Sequence, residues 1–230
     1  MNAIGDRGAP VLIGLATAVV IVTVAIVPLL SPGWVAFEQG RANATAWTGY
    51  TTDELRSATD AIVADLVLGG GFAVEVNGTP VLNERERGHM EDVRTVFRGL
   101  WILAAISLVV LVAASRRRDR AGTWRAVRRG ALGLTVGVAV VGIVGLIAFD
   151  QLFELFHRIF FPAGSYLFDP NNDRLVQLFP FQFWQETAMV VGVVIVAISL
   201  VVAVIAGRRA ARSTATRSAP ELAAVPEPGS

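Results

Sequence analysis

The sequence predicts an all-α membrane protein with four transmembrane helices. A small extracytoplasmic domain of helices and one β-hairpin is expected between helices 1 and 2, and an aromatic-rich outer loop between helices 3 and 4. Hydrophobic residues make up 53% of the 230 residues and charged residues only 17%, whereas average soluble domains carry about 25% charge. Mean hydropathy is +0.56. Four apolar runs, with Arg distributed unevenly among the segments that connect them, also indicate this fold class.

The four apolar runs lie at about residues 9–30, 99–115, 130–149 and 188–206. A helix needs about 20 residues to cross a hydrocarbon core of about 30 Å. Irregular backbone is not tolerated in lipid, so each run is interpreted as a helix. The second run is the shortest, and it spans the membrane only if its helix already begins in the polar residues that precede it. The first run is longer than the apolar region of a signal peptide, and we expect it to be retained.

Arg placement predicts the orientation. The loop from Arg116 to Arg129 holds seven Arg and one Asp, and four more Arg follow residue 206. The opposite loops, at about 31–98 and 150–186, hold eight Arg and 15 acidic residues. The positive-inside rule therefore places both termini in the cytoplasm and the acidic loops outside. Residues 1–206 are predicted to form the membrane domain, and residues 207–230 a disordered cytoplasmic tail, because the tail lacks periodicity.

The outer subdomain, residues 34–98, carries local folding signals. Thr51-x-x-Glu54 is a capping box that predicts a helix of about 16 residues, ending at Gly69. Alternating apolar residues and Asn77-Gly78 predict a short hairpin within residues 72–82. Asn83-x-x-Glu86 is a second capping signal, from which a polar helix is expected to continue into the second span.

The outer loop, residues 150–186, is the aromatic-rich part of the chain. Eleven of the nineteen aromatic residues fall between Phe149 and Trp184. If the third span continues outward as a helix, its Phe residues form one stripe beside an acidic edge. An interfacial belt explains Trp and Tyr, whereas a groove for lipid chains explains Phe better. Asp169-Pro170 predicts the start of a short helix that ends before Pro180.

The two His residues are the main candidates for chemistry. His89 precedes the second span by ten residues, and His157 follows the third by eight. Because a short inner loop joins these spans, both imidazoles are expected at similar heights outside the same membrane face. Each has a carboxylate about one helical turn away, which could fix its tautomer.

Spacing alone leaves three kinds of site open. One is acid–base catalysis by the two imidazoles. Another is a metal held by both His and a carboxylate, and the last is haem ligated between two helices. Alternatively, both His are solvated polar residues without a chemical role. Rings within about 8 Å of each other could share one small group or a bridging water.

Several segments resemble a bacterial family of integral membrane proteins, the lipoprotein intramolecular transacylase (Lit) family, over about residues 10–206. The resemblance rests on Asn83-Glu84-Arg85-Glu86-x-x-His89-Met90-x-Asp92-Val93, Phe156-His157-x-x-Phe160-Phe161, Phe168-Asp169-Pro170-x-x-Asp173-x-Leu175 and Phe179-Pro180-x-x-Phe183. It implies an acyltransferase that moves the sn-2 acyl chain of a diacylglyceryl-Cys lipoprotein to the α-amino group of the same Cys. The product is a lyso-form lipoprotein, and no cofactor or metal is required.

The resemblance also implies roles for particular residues. His89 and His157 match the catalytic histidines, one acting as base and the other as acid. Candidate orienting or binding residues are Arg85, Asp92, Asp150, Glu154 and Asp173. The residues expected to form the lipid groove are Phe153, Phe156, Phe160 and Phe161.

The implied partners are diacylglyceryl-modified lipoproteins and membrane phospholipid, with no nucleic acid. The implied location is the bacterial cytoplasmic membrane, with the active face extracytoplasmic. Two alternatives remain at this point. One is a non-catalytic membrane protein whose outer domain binds a partner, and the other is the site with a metal held by His and carboxylate.

Overall fold

The computed structural model describes residues 3–117, 119–161 and 164–222. The helices are α1 Ala3–Ile26, α2 Pro32–Arg41, α3 Ala44–Thr48, α4 Thr52–Ala64, α5 Glu84–Ser115, α6 Arg120–Phe160, α7 Arg174–Leu178 and α8 Phe181–Leu222. A 3₁₀ turn, Val27–Leu30, follows α1, and a π-helical turn, Asp65–Gly69, follows α4. The strands β1 Glu75–Val76 and β2 Thr79–Pro80 form an antiparallel hairpin.

Within the described residues, four helices are long and apolar enough to cross a membrane. They are Gly8–Leu30, Glu84–Ser115, Arg120–Phe160 and Phe181–Thr214. As the sequence predicts, the second helix begins in the polar segment before its apolar run, and the third continues past its apolar run to Phe160. Within α6, Ala148 leaves helical geometry with φ −138° and ψ 45°, which separates the apolar part from the aromatic part by a kink. The four-span helical fold class is confirmed.

The last helix extends beyond its predicted end. Whereas disorder is predicted from residue 207, α8 continues to Leu222. Ala210, Ala211 and the neighbouring Arg residues are strong helix formers, so the helix outlasts its apolar part. Residues 223–230 of the predicted tail lie outside the described residues.

The chain divides into two compact units. The first comprises residues 1–23, 103–139 and 194–230, and the second residues 24–102 and 140–193. In the first unit, α1 and α6 approach closely at Gly14 and Gly130. A Cβ on Gly130 would overlap the backbone of Gly14. Small residues at such a crossing allow the two backbones to pack directly.

The core of the second unit joins the two predicted outer segments. Its buried apolar residues come from α2, α4, the hairpin, the start of α5, α7 and the start of α8; they include Val35, Leu55, Ile62, Phe72, Leu82, Met90, Leu178 and Phe183. Buried Gln39 donates to both the Thr59 hydroxyl and the Leu178 carbonyl at 2.9 Å. Arg174 donates to the Thr48 carbonyl at 2.7 Å. The outer loop therefore packs on the outer subdomain.

Local signals in the second unit behave as predicted, with one exception. The Thr51–Glu54 capping box is present, and Asn77 and Gly78 adopt the positive φ of the hairpin turn. The helix start predicted at Asp169-Pro170 is wrong, because α7 begins at Arg174. Asp169 instead anchors a turn. Hydrogen bonds from the Asn171 N–H and the Asn172 amide keep the pKa of its carboxyl below the ordinary value.

Gly130→Ala should destabilise the first unit. The added methyl group meets the Gly14 backbone, and overpacking of this kind costs about 1–3 kcal/mol. Thermal unfolding in detergent is the measurement. Gly133→Ala on the same helix is the matched control, because its Cβ meets nothing within 4 Å. Equal melting temperatures for the two variants would contradict the close crossing.

Candidate functional site

His89 and His157 lie in contact in the second unit. Their ring centroids are 6.2 Å apart and the ring planes are inclined by 20°. The imidazole of His89 comes from the start of α5, and that of His157 from the part of α6 that follows the kink at Ala148. The separation is therefore within the distance at which two rings can share one small group.

Aromatic rings surround the imidazole pair. The edges of Phe161 and Phe168 meet His89, with centroid distances of 4.8 and 5.4 Å. Phe153 lies 4.2 Å from His157, and Tyr166 lies 5.0 Å from it. His89 is only 6% exposed, whereas His157 is partly exposed. The pair thus combines a buried imidazole with a more accessible one.

A backbone carbonyl orients His157. Its Nδ1 lies 2.7 Å from the Phe153 carbonyl oxygen. Because a carbonyl can only accept, Nδ1 carries the hydrogen and Nε2 of the neutral ring carries the lone pair. Glu154, which the sequence places one turn before His157, pairs instead with Arg158 at 2.6 Å. The orienting role predicted for Glu154 is therefore filled by the backbone.

The first turn of α5 is held by a buried carboxylate. Glu86 is 1% exposed. One of its oxygens accepts the Asn83 N–H at 2.7 Å, and the Asn83 side chain in return accepts the Glu86 N–H at 3.0 Å. Its other oxygen accepts the Leu175 N–H at 2.6 Å. Glu86 therefore links α5, three residues before His89, to the first turn of α7.

Asp173 makes the second link between these segments. It accepts from Arg85 at 2.7 Å, from the Asn83 amide at 3.1 Å and from the Asp169 N–H at 2.7 Å. The Arg85 guanidinium also lies over the Phe168 ring, 5.0 Å from its centroid. The two predicted residues Arg85 and Asp173 thus hold Phe168 in its place against His89.

The other predicted residues occupy different positions around the pair. Asp92 accepts from the Ser165 hydroxyl at 3.0 Å and holds the loop after α6. Asp150 is exposed and, among the described residues, makes no hydrogen bond or ion pair. Phe161 is buried beside both imidazoles, so it belongs to the histidine pocket rather than to an open groove. Phe156 and Phe160 pack together and are each 46% exposed.

Sequence reasoning did not identify every residue near the pair. Ser165 and Tyr166 lie in a turn with no recognisable motif. Ser165 contacts Asp92 of α5 across a long sequence separation, and Tyr166 contacts His157 of α6. Glu86 was visible as a helix cap, but its second hydrogen bond was not. Within the described residues, no group of three or more His, Asp and Glu could hold a metal ion. The described residues therefore offer no ligand set for the alternative in which His and a carboxylate hold a metal.

These features define a multi-pass integral membrane protein whose contacting histidines lie among aromatic rings outside the apolar parts of its helices. Residues 11–184 match the profile of the family described as Lipoprotein intramolecular transacylase Lit, and the chain belongs to this transacylase family. The resemblance found in the sequence is thereby confirmed.

Solved structures show the same fold. The chain resembles the lipoprotein intramolecular transacylase Lit from Bacillus cereus with a TM-score of 0.72 and 18% identity, over 94% of this chain and 100% of that one. A structure of the same protein with a histidine-to-arginine mutation gives a TM-score of 0.68 and 17% identity, over 92% and 94%.

A protein of Aquifex aeolicus (strain VF5), described as uncharacterized, is 26% identical over 121 residues. The match covers 51% of this chain and 52% of that protein. The chain thus spans about half the length of the curated relative it matches.

Glu86→Gln should weaken the link between α5 and α7. A carboxylate accepts from the Asn83 and Leu175 backbones with separate oxygens. An amide has one oxygen and turns an N–H toward one of these donors. A buried polar group left without a partner costs about 1–3 kcal/mol. The measurements are thermal unfolding and hydrogen exchange at the two backbone amides.

Glu84→Gln is the matched control, since Glu84 lies in the same turn but is exposed. Only Glu86→Gln is expected to accelerate exchange at Leu175. Equal exchange rates in both variants would show that Glu86 does not hold this segment.

Proposed function

We propose that the chain transfers an acyl group within a lipoprotein. The substrate is a diacylglyceryl-Cys lipoprotein, and the sn-2 acyl chain moves to the α-amino group of the same Cys. The single observation that carries the proposal is the contact of His89 and His157 at 6.2 Å. Membership of the Lit family supports the same reaction.

The reaction needs one proton removed and one supplied. The amine nitrogen attacks the ester carbonyl carbon, an N–C bond forms and the C–O bond to glycerol breaks. The proton lost by the amine balances the proton gained by the glyceryl oxygen, so no external co-reactant is required. Two adjacent imidazoles suit this exchange, because one accepts while the other donates.

The geometry favours His157 as the base toward the amine. Its Nδ1–H is engaged by the Phe153 carbonyl, so Nε2 is the nitrogen that accepts the proton. His157 is also the more accessible ring. The amine and the ester belong to one substrate, which supplies much of the required proximity.

His89 is proposed to serve the ester oxygen. A neutral imidazole retains one N–H, which can stabilise the developing oxyanion. As this proton passes to the glyceryl oxygen, the proton that His157 took from the amine replaces it, so both rings end neutral. Within the described residues, its buried Nδ1 has no hydrogen-bond partner. The edges of Phe161 and Phe168 fix the plane of this ring. The ring is therefore oriented before substrate arrives.

The acyl chains are proposed to lie along the outer part of α6. Phe156 and Phe160 offer adjoining exposed rings there. Leu155 and Ile159 are also exposed on this segment. The positive-inside distribution of Arg supports a location in the bacterial cytoplasmic membrane, with both termini cytoplasmic and the histidine pair on the extracytoplasmic side.

His89→Ala and His157→Ala should each abolish product formation while the protein remains folded. General acid–base groups contribute about 10²–10⁴-fold to rate, so each variant is expected to lose at least about 100-fold. The assay follows conversion of a synthetic diacylglyceryl lipopeptide to its lyso form, with fragment masses that locate the acyl chain on the amine.

Gln151→Ala and Glu84→Ala are the matched controls, because both residues are exposed and lie on the same helices as the two His. Melting temperatures are compared for all four variants. Undiminished N-acylation in both His variants would overturn the proposed roles. Loss in the controls as well would point to a structural cause.

A further inference from the structure

A cavity in the first unit combines an apolar floor with two Arg side chains. Its volume is about 410 Å³. The floor comes from α1, α5, α6 and α8, and its apolar residues include Val20, Ile21, Leu111, Val127 and Val202. These residues belong to the apolar parts of the four spanning helices.

The rim of the cavity is polar and positively charged. Arg120 at the start of α6 and Arg209 on α8 both line it, together with Trp124. The Arg209 guanidinium lies 5.5 Å from the Trp124 ring centroid, within the range of a cation–π contact. Trp is also the residue that favours the headgroup depth of a membrane.

The charge of this rim has no acidic counterpart in the part of the chain that the structure describes. The ion pairs found there join Arg41 to Glu186, Arg85 to Asp173 and Arg158 to Glu154, and none involves Arg120 or Arg209. Asp119 instead accepts the Gly122 N–H at 2.9 Å and caps α6.

The hydroxyl groups of the cavity are already engaged. Ser115 donates to the Val112 carbonyl at 2.7 Å. Thr123 donates to the Asp119 carbonyl at 3.1 Å, with the Ala114 carbonyl 3.3 Å away. The donors left for a ligand are therefore the two guanidinium groups and the indole N–H of Trp124. The guanidinium groups match the oxygens of a phosphate.

We propose that this cavity binds an acidic membrane phospholipid, with its phosphate at Arg120 and Arg209 and an acyl chain along the apolar floor. The apolar floor within the spanning helices suits an acyl chain, and the cationic rim at the helix ends suits an anionic headgroup. A ligand that fills the cavity therefore needs both parts. Basic pockets between transmembrane helices select acidic headgroups for this reason. The site lies in a different unit from the histidine pair and is independent of the proposed acyl transfer.

Trp124 provides a direct reporter for the test. The full chain is reconstituted in phosphatidylcholine vesicles. These contain rising fractions of one brominated lipid, either phosphatidylglycerol or phosphatidylcholine, whose brominated acyl chains quench Trp fluorescence. The signal of Trp124 is the difference between the native chain and Trp124→Phe. Phosphatidylglycerol is expected to reach half-quenching at a mole fraction several-fold lower than phosphatidylcholine.

Arg120→Gln/Arg209→Gln should remove this preference, whereas Arg117→Gln/Arg125→Gln should retain it. Both double variants lose two positive charges, but Arg117 and Arg125 do not line the cavity. Loss of the two phosphate contacts is expected to raise the half-quenching fraction of phosphatidylglycerol several-fold, to the value for phosphatidylcholine. The single variants Arg120→Gln and Arg209→Gln are also measured, so that the preference can still be compared if the double variant does not fold.

Equal quenching by the two lipids in the native chain would overturn the proposal. An equal shift in both double variants would also overturn it, because the effect would then be general surface attraction. Preference lost only in the cavity variants is the result that supports a phospholipid site.

Discussion

The geometry of the histidine pair depends on the hydrogen bonds that the Glu86 carboxylate accepts. One oxygen caps α5 through the Asn83 N–H, and the other accepts the Leu175 N–H. The same group therefore starts the helix that carries His89 and fixes the segment that places Phe168 against that imidazole. Because Glu86 is buried, loss of either bond would leave a backbone N–H without a compensating partner.

The site is oriented mainly by neutral groups. A backbone carbonyl, not a carboxylate, sets the tautomer of His157, and aromatic edges set the plane of His89. The ionised groups act indirectly, because Arg85 and Asp173 position Phe168 and Phe168 in turn contacts His89. A site built in this way limits water around the reacting atoms, and hydrogen bonds to developing charge are stronger in such surroundings.

Local chemistry made much of this fold predictable. The capping boxes at Thr51 and Asn83 and the four apolar runs depend on neighbouring residues, so the sequence predicts them directly. The packing of α7 depends on contacts such as Gln39 to Leu178, which join residues far apart in the chain. The kink at Ala148 carries no signal, because Ala is the strongest helix former. Topology predicted His89 and His157 at similar heights, whereas their separation and the rings and hydrogen bonds that orient the pair depend on tertiary packing.

The proposed activity depends on the two imidazoles forming one site, and the chain contains two His. Solid-state NMR of protein labelled with ¹³C and ¹⁵N only at His, diluted in unlabelled protein, reads this site without ambiguity. The shared site predicts a ring-to-ring correlation at about 6 Å, consistent with the centroid distance of 6.2 Å, and one imidazole protonated at Nδ1. Rings without a mutual correlation, or a His157 protonated only at Nε2, would contradict it.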